Sequence, residues 1–279
     1  MTDTLAYSPC PNDTYVFAAL ANGLLAGRPH VRVVLADVEA LNDAAQRGEY
    51  EVTKISYGAI PPLVSRYRVL RCGGALGRGC GPLAVVREQH RGGLESLAGK
   101  RVAIPGARTT AYLLLRLALH AMGIDAVVPV EMRFDRIVEA VAAGRVDAGL
   151  IIHESRFTYQ ERGLRSAIDL GRWWESTTGL PIPLGAILAR DDLGSQRSLQ
   201  IADAIRASLR FARGHESEIF GYVREHAFEM SEQVMRKHIA LYVNEFTDDL
   251  GEEGVAAVRV LLGRAHDAGL AAAAEPRFL

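Results

Sequence analysis

Lysine is scarce in this chain of 279 residues: Lys54, Lys100 and Lys237 are the only ones, and arginine supplies the remaining cations. That scarcity makes Lys54 conspicuous. Cysteine is as sparse. Cys10, Cys72 and Cys80 form an odd, scattered set without metal-ligand spacing, which excludes a disulfide framework and a cysteine zinc site. No block of one charge occurs; 32 basic and 33 acidic residues intermix to a formal net charge of −1. Nucleic acid and anionic membrane surfaces are therefore excluded as partners. No basic stretch followed by an apolar one opens the chain, and no apolar run reaches the ~20 residues that span a bilayer. A soluble, cytoplasmic protein is expected. Internal repeats and low-complexity segments are also missing.

What is present is apolar substance, 49% of the residues, enough for one large domain or two modest ones. Short β-type runs alternate with helical runs. Strands are expected at Val31–Leu35, Glu51–Ser56, Arg101–Ile104 and Val146–Ile152, with extended chain at Ala126–Val130. Helices are expected at Val38–Arg47, Tyr57–Ser65, Thr109–Met122 and Arg136–Ala143. After Leu188 the pattern turns wholly helical: Ser195–Arg213, His215–Phe228, Ser231–Tyr242 and Glu252–Ala268. Strand–helix alternation implies parallel or mixed sheets with helices on both faces. Two extended crossings, Pro82–Val86 and Leu184–Leu188, bracket a fresh strand–helix series. The expected fold is thus α/β, two-lobed and periplasmic-binding-protein-like (type II), with mixed sheets, a central cleft and a helical C-terminal region. The larger lobe takes residues 1–98 plus 189–279; the smaller, inserted lobe takes 99–188.

Four segments carry side chains able to meet in such a cleft. The first is Ser8-Pro9-Cys10-Pro11-Asn12-Asp13-Thr14, a rigid turn between a strand and a helical run, where α/β proteins hold anions. The second, Thr53-Lys54-Ile55-Ser56-Tyr57-Gly58, is a strand end and helix start. There Ser56 can cap, Gly58 admits close approach of a ligand, and Lys54 or Tyr57 supplies a donor. The third is Gly106-Ala107-Arg108-Thr109-Thr110. Its hydroxyls sit where free N–H groups and the positive helix dipole converge, suited to carboxylate or phosphate. The fourth is Ile152-His153-Glu154. His153 lies at the end of a buried strand and is the base candidate of the eight histidines, because His30, His90, His120, His215, His226, His238 and His266 fall in loops or on helices. Glu154 either orients it or favours the next helix start.

Other features read as structural. Cys10 has no assignable histidine partner and reads as a small packing residue. Gly73–Gly81 lacks the Lys-Ser/Thr of a phosphate loop and reads as a connection near the lobe crossing. Trp173-Trp174 either walls a pocket for a flat ring or packs between lobes.

Taken as a set, Ser8–Thr14, Thr53–Gly58, Gly77–Pro82, Thr109-Thr110, Ile152–Glu154 with Arg156–Tyr159, and Trp173–Glu175 through Pro181–Gly185 resemble the 1,4-dihydroxy-6-naphthoate synthase family of the futalosine route to menaquinone. The resemblance covers roughly residues 5–188. It implies a binding-protein fold turned into a lyase that splits cyclic dehypoxanthine futalosine into the naphthoate and dihydroxyacetone. By the same resemblance His153 is the proton acceptor, and Lys54, Ile55, Ser56, Thr109 and Thr110 bind an anionic small-molecule substrate, with Ser8, Asn12 and Asp13 beside them. No metal or organic cofactor is suggested. The related chorismate dehydratases and a non-catalytic solute-binding protein are the rivals.

Overall fold

Two series of strand–helix units build two separate sheets. The computed structural model describes residues 2–227 and 231–279. The chain begins with β1 (Asp3–Tyr7), α1 (Pro11–Ala21), β2 (Val31–Leu35), α2 (Val38–Arg47), β3 (Val52–Ser56) and the long β4 (Tyr67–Gly77). Next come β5 (Leu83–Arg87), β6 (Arg101–Ile104), α3 (Thr110–Ala121), β7 (Val128–Glu131), α4 (Phe134–Ala142) and β8 (Ala148–Ile151). A short α5 (Ser155–Thr158) precedes β9 (Leu164–Asp169), α6 (Leu170–Thr178) and β10 (Ile182–Arg190). The tail is helical: α7 (Gly194–Gly214), α8 (Glu216–His226), α9 (Glu232–Tyr242), α10 (Glu245–Asp248) and α11 (Gly251–Asp267).

The first sheet has the order β2-β1-β3-β10-β4 and the second β7-β6-β8-β5-β9. In each, three strands pair in parallel and two more join through antiparallel pairs, so that β10 in the first sheet and β5 in the second run against the other four strands. The mixed sheets and two lobes match the expected fold. Sheet membership at the crossings differs from expectation. The strand at Leu83–Arg87, expected in the larger lobe, pairs with β8 and β9 of the second sheet. The strand at Ile182–Arg190, expected to finish the smaller lobe, pairs with β3 and β4 of the first. An apolar extended run declares itself a strand but not its partner, because pairing is non-local.

Helix α1 is apolar on all sides and buried, as its place between the first sheet and α7 and α8 requires. Phe17, Leu20, Leu70, Ile205 and Leu209 form the core there, each fully buried side chain contributing ~1.5–3 kcal/mol. On the second sheet, α4 lays Ile137 and Val141 over Val85 and Ala103. A third cluster, including Ile55, Leu76, Ala84, Leu114 and Trp174, runs beneath both sheets.

Other differences have local causes. The helix expected at Tyr57–Ser65 is two 3₁₀ turns, Tyr57–Ala59 and Pro61–Leu63, since Pro61 and Pro62 withhold the N–H groups an α-helix needs. Strand β4 was hidden by its glycines, and β9 by its short, mixed sequence. The alanine-rich stretch Ala271–Ala274 lies outside the helices. Beyond α11 the chain runs back to the first sheet, where Arg71 N–H donates to Leu279 C=O at 2.9 Å and Val69 N–H to Arg277 C=O at 2.8 Å. The last residue expected in the eighth helix, Phe228, lies outside the described residues.

Candidate functional site

Between the lobes lies a cavity lined by residues of both. Ser8, Asn12, Asp13, Lys54, Ile55, Ser56, Thr109, Thr110 and His153 all line it, so the base candidate and the residues expected to bind substrate are brought together there. Parallel βα units explain the convergence: their loops all open at the carboxyl ends of the strands.

The first-sheet wall is a polar array centred on Asp13. Pro11 starts α1 at its first position, and Cys10 is the N-cap without a side-chain cap bond. The Asx pair therefore does not cap the helix. Asp13 instead accepts the Ser8 hydroxyl at 2.6 Å, Asn12 Nδ2–H at 2.7 Å and the Lys54 ammonium. Both Asp13 and Lys54 are buried, so the pair excludes water from each other's charge. Lys54 has three N–H donors, and Asp13 takes one. Ser56 does not cap the turn after β3. Its N–H donates to Asn42 Oδ1 at 2.9 Å, and its oxygen accepts Asn42 Nδ2–H at 3.3 Å. Asn42, fully buried on α2, was missed in the sequence; a polar residue on a helix carries no mark of what it faces. The Ser56 hydroxyl proton stays available to a ligand. Ile55 is buried and contributes apolar surface, while Tyr57, buried in the core, is not among the lining residues.

At the lobe junction, Gly58 serves the protein rather than a ligand. A Cβ there would lie 3.1 Å from the carbonyl oxygens of Arg108 and Thr109, so glycine is what lets the two lobes touch. Gly58 N–H donates to Thr110 Oγ1 at 3.1 Å, and that hydroxyl donates to Leu184 C=O at 2.7 Å. Glu39 reinforces the junction by accepting Arg108 N–H at 2.9 Å.

On the second-sheet wall Thr109 is the N-cap of α3, its oxygen accepting Tyr112 N–H at 3.2 Å. The N–H groups of Thr110 and Ala111, which have no partner inside a helix start, belong to residues lining the cavity. A carboxylate suits that position. His153 follows β8 with φ of +56°, the only non-glycine residue at positive φ among the described residues. Holding a side chain there costs about 1–3 kcal/mol and commonly marks a functional position. Its Nδ1 lies 3.4 Å from Cys10 Sγ, and Phe134 meets its ring at a centroid distance of 4.9 Å. Desolvation, then the positive charge of Lys54, pushes its pKa down to about 3, so the ring is neutral at pH 7. Cys10 is thus a partner of His153, contrary to its reading as mere packing. Burial holds its thiol well above the usual range, so it stays protonated.

Glu154 does not orient His153. Its Oε2 is buried without a hydrogen-bond partner among the described residues, and desolvation raises its pKa to about 7. Trp174 is fully buried, its Nε1–H donating to Pro181 C=O at 3.0 Å, and neither tryptophan lines the cavity. A second histidine does, against expectation. His238 on α9 is buried, stacks with His153 at 6.0 Å between centroids, and has Nε2 3.0 Å from Asn12 Oδ1. Tyr242, one turn further along α9, also lines the cavity.

Comparisons with known proteins give the family and the fold. A family model described as menaquinone biosynthesis matches residues 4–267. The chain is 52% identical to the 1,4-dihydroxy-6-naphthoate synthase of Streptomyces coelicolor, covering 99% of this chain and 98% of that protein. It is also 52% identical to the synthase of the same name from Thermus thermophilus, over 96% of this chain and 95% of that one. A crystal structure of an Archaeoglobus fulgidus protein superimposes with a TM-score of 0.89 at 36% identity, covering 96% of this chain and 98% of that one. The alkanesulfonate-binding protein of Xanthomonas axonopodis, at 16% identity, shares the fold with a TM-score of 0.72, covering 97% of this chain and 94% of that one. The chain is a member of the 1,4-dihydroxy-6-naphthoate synthase family of menaquinone biosynthesis, built on the periplasmic-binding-protein fold.

Proposed function

We propose that this protein is a cytoplasmic carbon–carbon lyase that converts cyclic dehypoxanthine futalosine to 1,4-dihydroxy-6-naphthoate and dihydroxyacetone, with His153 as general base. The observation that carries the reading is His153 itself: a neutral imidazole at a left-handed strand end, in the same cavity as Lys54 and the start of α3. A solute-binding protein needs no basic nitrogen held at a cost in backbone strain.

In this reading the substrate carboxylate rests on the Thr110 and Ala111 N–H groups, with the Ser56 hydroxyl and Lys54 available to its other oxygens. His153 removes a proton from a sugar-derived hydroxyl or an activated C–H. Carbon–carbon cleavage follows, and the gain of aromaticity drives it. A neutral ring is ready to accept at every pH above about 4, given a pKa of about 3. Preorganised N–H groups and Lys54 stabilise the negative charge that develops. The partner is a small anionic molecule.

Incubation of the purified protein with cyclic dehypoxanthine futalosine, followed by absorbance and mass, tests the reading. Naphthoate and dihydroxyacetone in equal amounts are expected. Consumption of chorismate instead moves the assignment to a dehydratase, and tight binding with no turnover of either compound makes this a binding protein.

A further inference from the structure

Asn12 determines the state of the second histidine. Asp13, already holding the Lys54 ammonium and the Ser8 hydroxyl, is a carboxylate that only accepts. The Asn12 carboxamide must therefore turn its NH₂ toward Asp13, at 2.7 Å, and its oxygen the other way. That oxygen lies 3.0 Å from His238 Nε2. An amide oxygen cannot donate, so Nε2 carries the imidazole proton. Nδ1 is then a bare lone pair. It is buried, it has no hydrogen-bond partner among the described residues, and its residue is 1% exposed on the cavity wall. Burial, His153 and Lys54 all oppose a second proton on this ring, and the Tyr242 ring at 4.7 Å offers it no charge. An unfilled acceptor in such a place costs ~1–3 kcal/mol.

We propose that His238 Nδ1 is the acceptor for a hydroxyl group of the substrate, making His238 a binding residue of the site beside His153. The array Lys54–Asp13–Asn12–His238 fixes the tautomer; the substrate completes it with an O–H donor. With the two imidazoles stacked at 6.0 Å, a hydroxyl held on His238 lies next to the base. The identity of the substrate rests on the lyase reading, but the tautomer does not.

Two variants separate this role from a structural one. In His238→Gln the side-chain amide replaces Nε2–H and keeps the bond to Asn12, but the Nδ1 acceptor is lost. In His238→Asn the carboxamide oxygen replaces Nδ1, and the bond to Asn12 is lost. With cyclic dehypoxanthine futalosine, His238→Gln is expected to lower kcat/KM ~10- to 100-fold, mainly through KM, and His238→Asn to recover most of that loss. The reverse order, with Gln the better replacement, overturns the proposal. Long-range ¹H–¹⁵N NMR of histidine-labelled wild type, assigned by the signal missing in either variant, is the independent arm. The free protein should show the Nε2–H tautomer, with the Nδ1 resonance moving upfield on addition of 1,4-dihydroxy-6-naphthoate. An Nδ1–H tautomer in the free protein contradicts the proposal whether or not the enzyme turns over. A wild type that shows the expected tautomer yet fails to cleave the futalosine sinks the lyase reading and leaves the tautomer, with its bare Nδ1, standing.

Discussion

On the first-sheet wall of the cleft, Asp13 gathers Ser8, Asn12 and Lys54, and Asn42 grips both polar groups of Ser56. On the second-sheet wall, Thr109 and Thr110 use their hydroxyls to cap α3 and bridge the lobes, and His153 Nδ1 meets Cys10 Sγ at 3.4 Å. One wall is a buried network centred on Asp13 that still leaves the Ser56 hydroxyl proton and two Lys54 N–H donors to a ligand. The other offers a basic nitrogen and the N–H groups of a helix start. The division suits a lyase, since a base has to be free to change partners while the groups that orient substrate stay put.

Removing the charge at the centre of the first-sheet wall should have the largest effect on stability. Lys54→Met leaves the Asp13 carboxylate buried without its counter-charge, and equilibrium urea unfolding should show a loss of ~3–5 kcal/mol. The double variant Lys54→Met/Asp13→Asn should regain a good part of it. A single-variant loss below about 1 kcal/mol would mean the wall is not held by this pair.

The ease with which each wall was legible in sequence follows the same division. Ser8 through Asp13, Lys54 to Ser56, Thr109-Thr110 and His153 sit at strand ends and helix starts, where a short stretch of sequence specifies both the turn and its direction. His238 and Asn42 sit inside helices, and nothing local to a helix says which residue of its buried face covers a cleft. The separation of 226 positions between Asn12 and His238 makes that contact a product of packing alone. Cys10 and Glu154 exchanged their expected roles for a related reason. Adjacency in sequence left Glu154 either to orient His153 or to favour the next helix start, and its buried Oε2 has no hydrogen-bond partner among the described residues. The lobe crossings were seen as strands, and their pairing was misplaced because register depends on residues about a hundred positions away.

Smaller perturbations sharpen the contrast. Thr110→Val deletes the hydroxyl that joins Gly58 N–H to Leu184 C=O, and should cost ~1–3 kcal/mol in thermal or urea unfolding, with Thr110→Ser restoring it. The second-sheet wall should reveal itself through pH. The folded-state pKa of His153, about 3, lies below its ordinary ~6.5, so the neutral ring's share of stability is present above pH 6.5 and is lost as pH falls toward 3. His153→Gln should flatten the decline between pH 6 and 4 by up to ~1 kcal/mol per pH unit, leaving the share that belongs to His238. Glu154 works in the opposite sense. With its pKa raised to about 7, the stability of its neutral carboxyl is present below pH 4.5 and lost as pH rises through 7. Glu154→Gln should therefore stabilise by ~1 kcal/mol at pH 8 and change little at pH 4.

The central claim is that the neutral imidazole of His153 performs the chemistry while the Thr110 and Ala111 N–H groups, the Ser56 hydroxyl and Lys54 hold the substrate. It is tested most directly by the rate of naphthoate formation from cyclic dehypoxanthine futalosine in wild type and His153→Gln, with circular dichroism confirming that the variant is folded. A fall in kcat of ~10²- to 10⁴-fold with KM nearly unchanged is the predicted result. A folded variant that turns over within tenfold of wild type would contradict the assignment of His153 as the base.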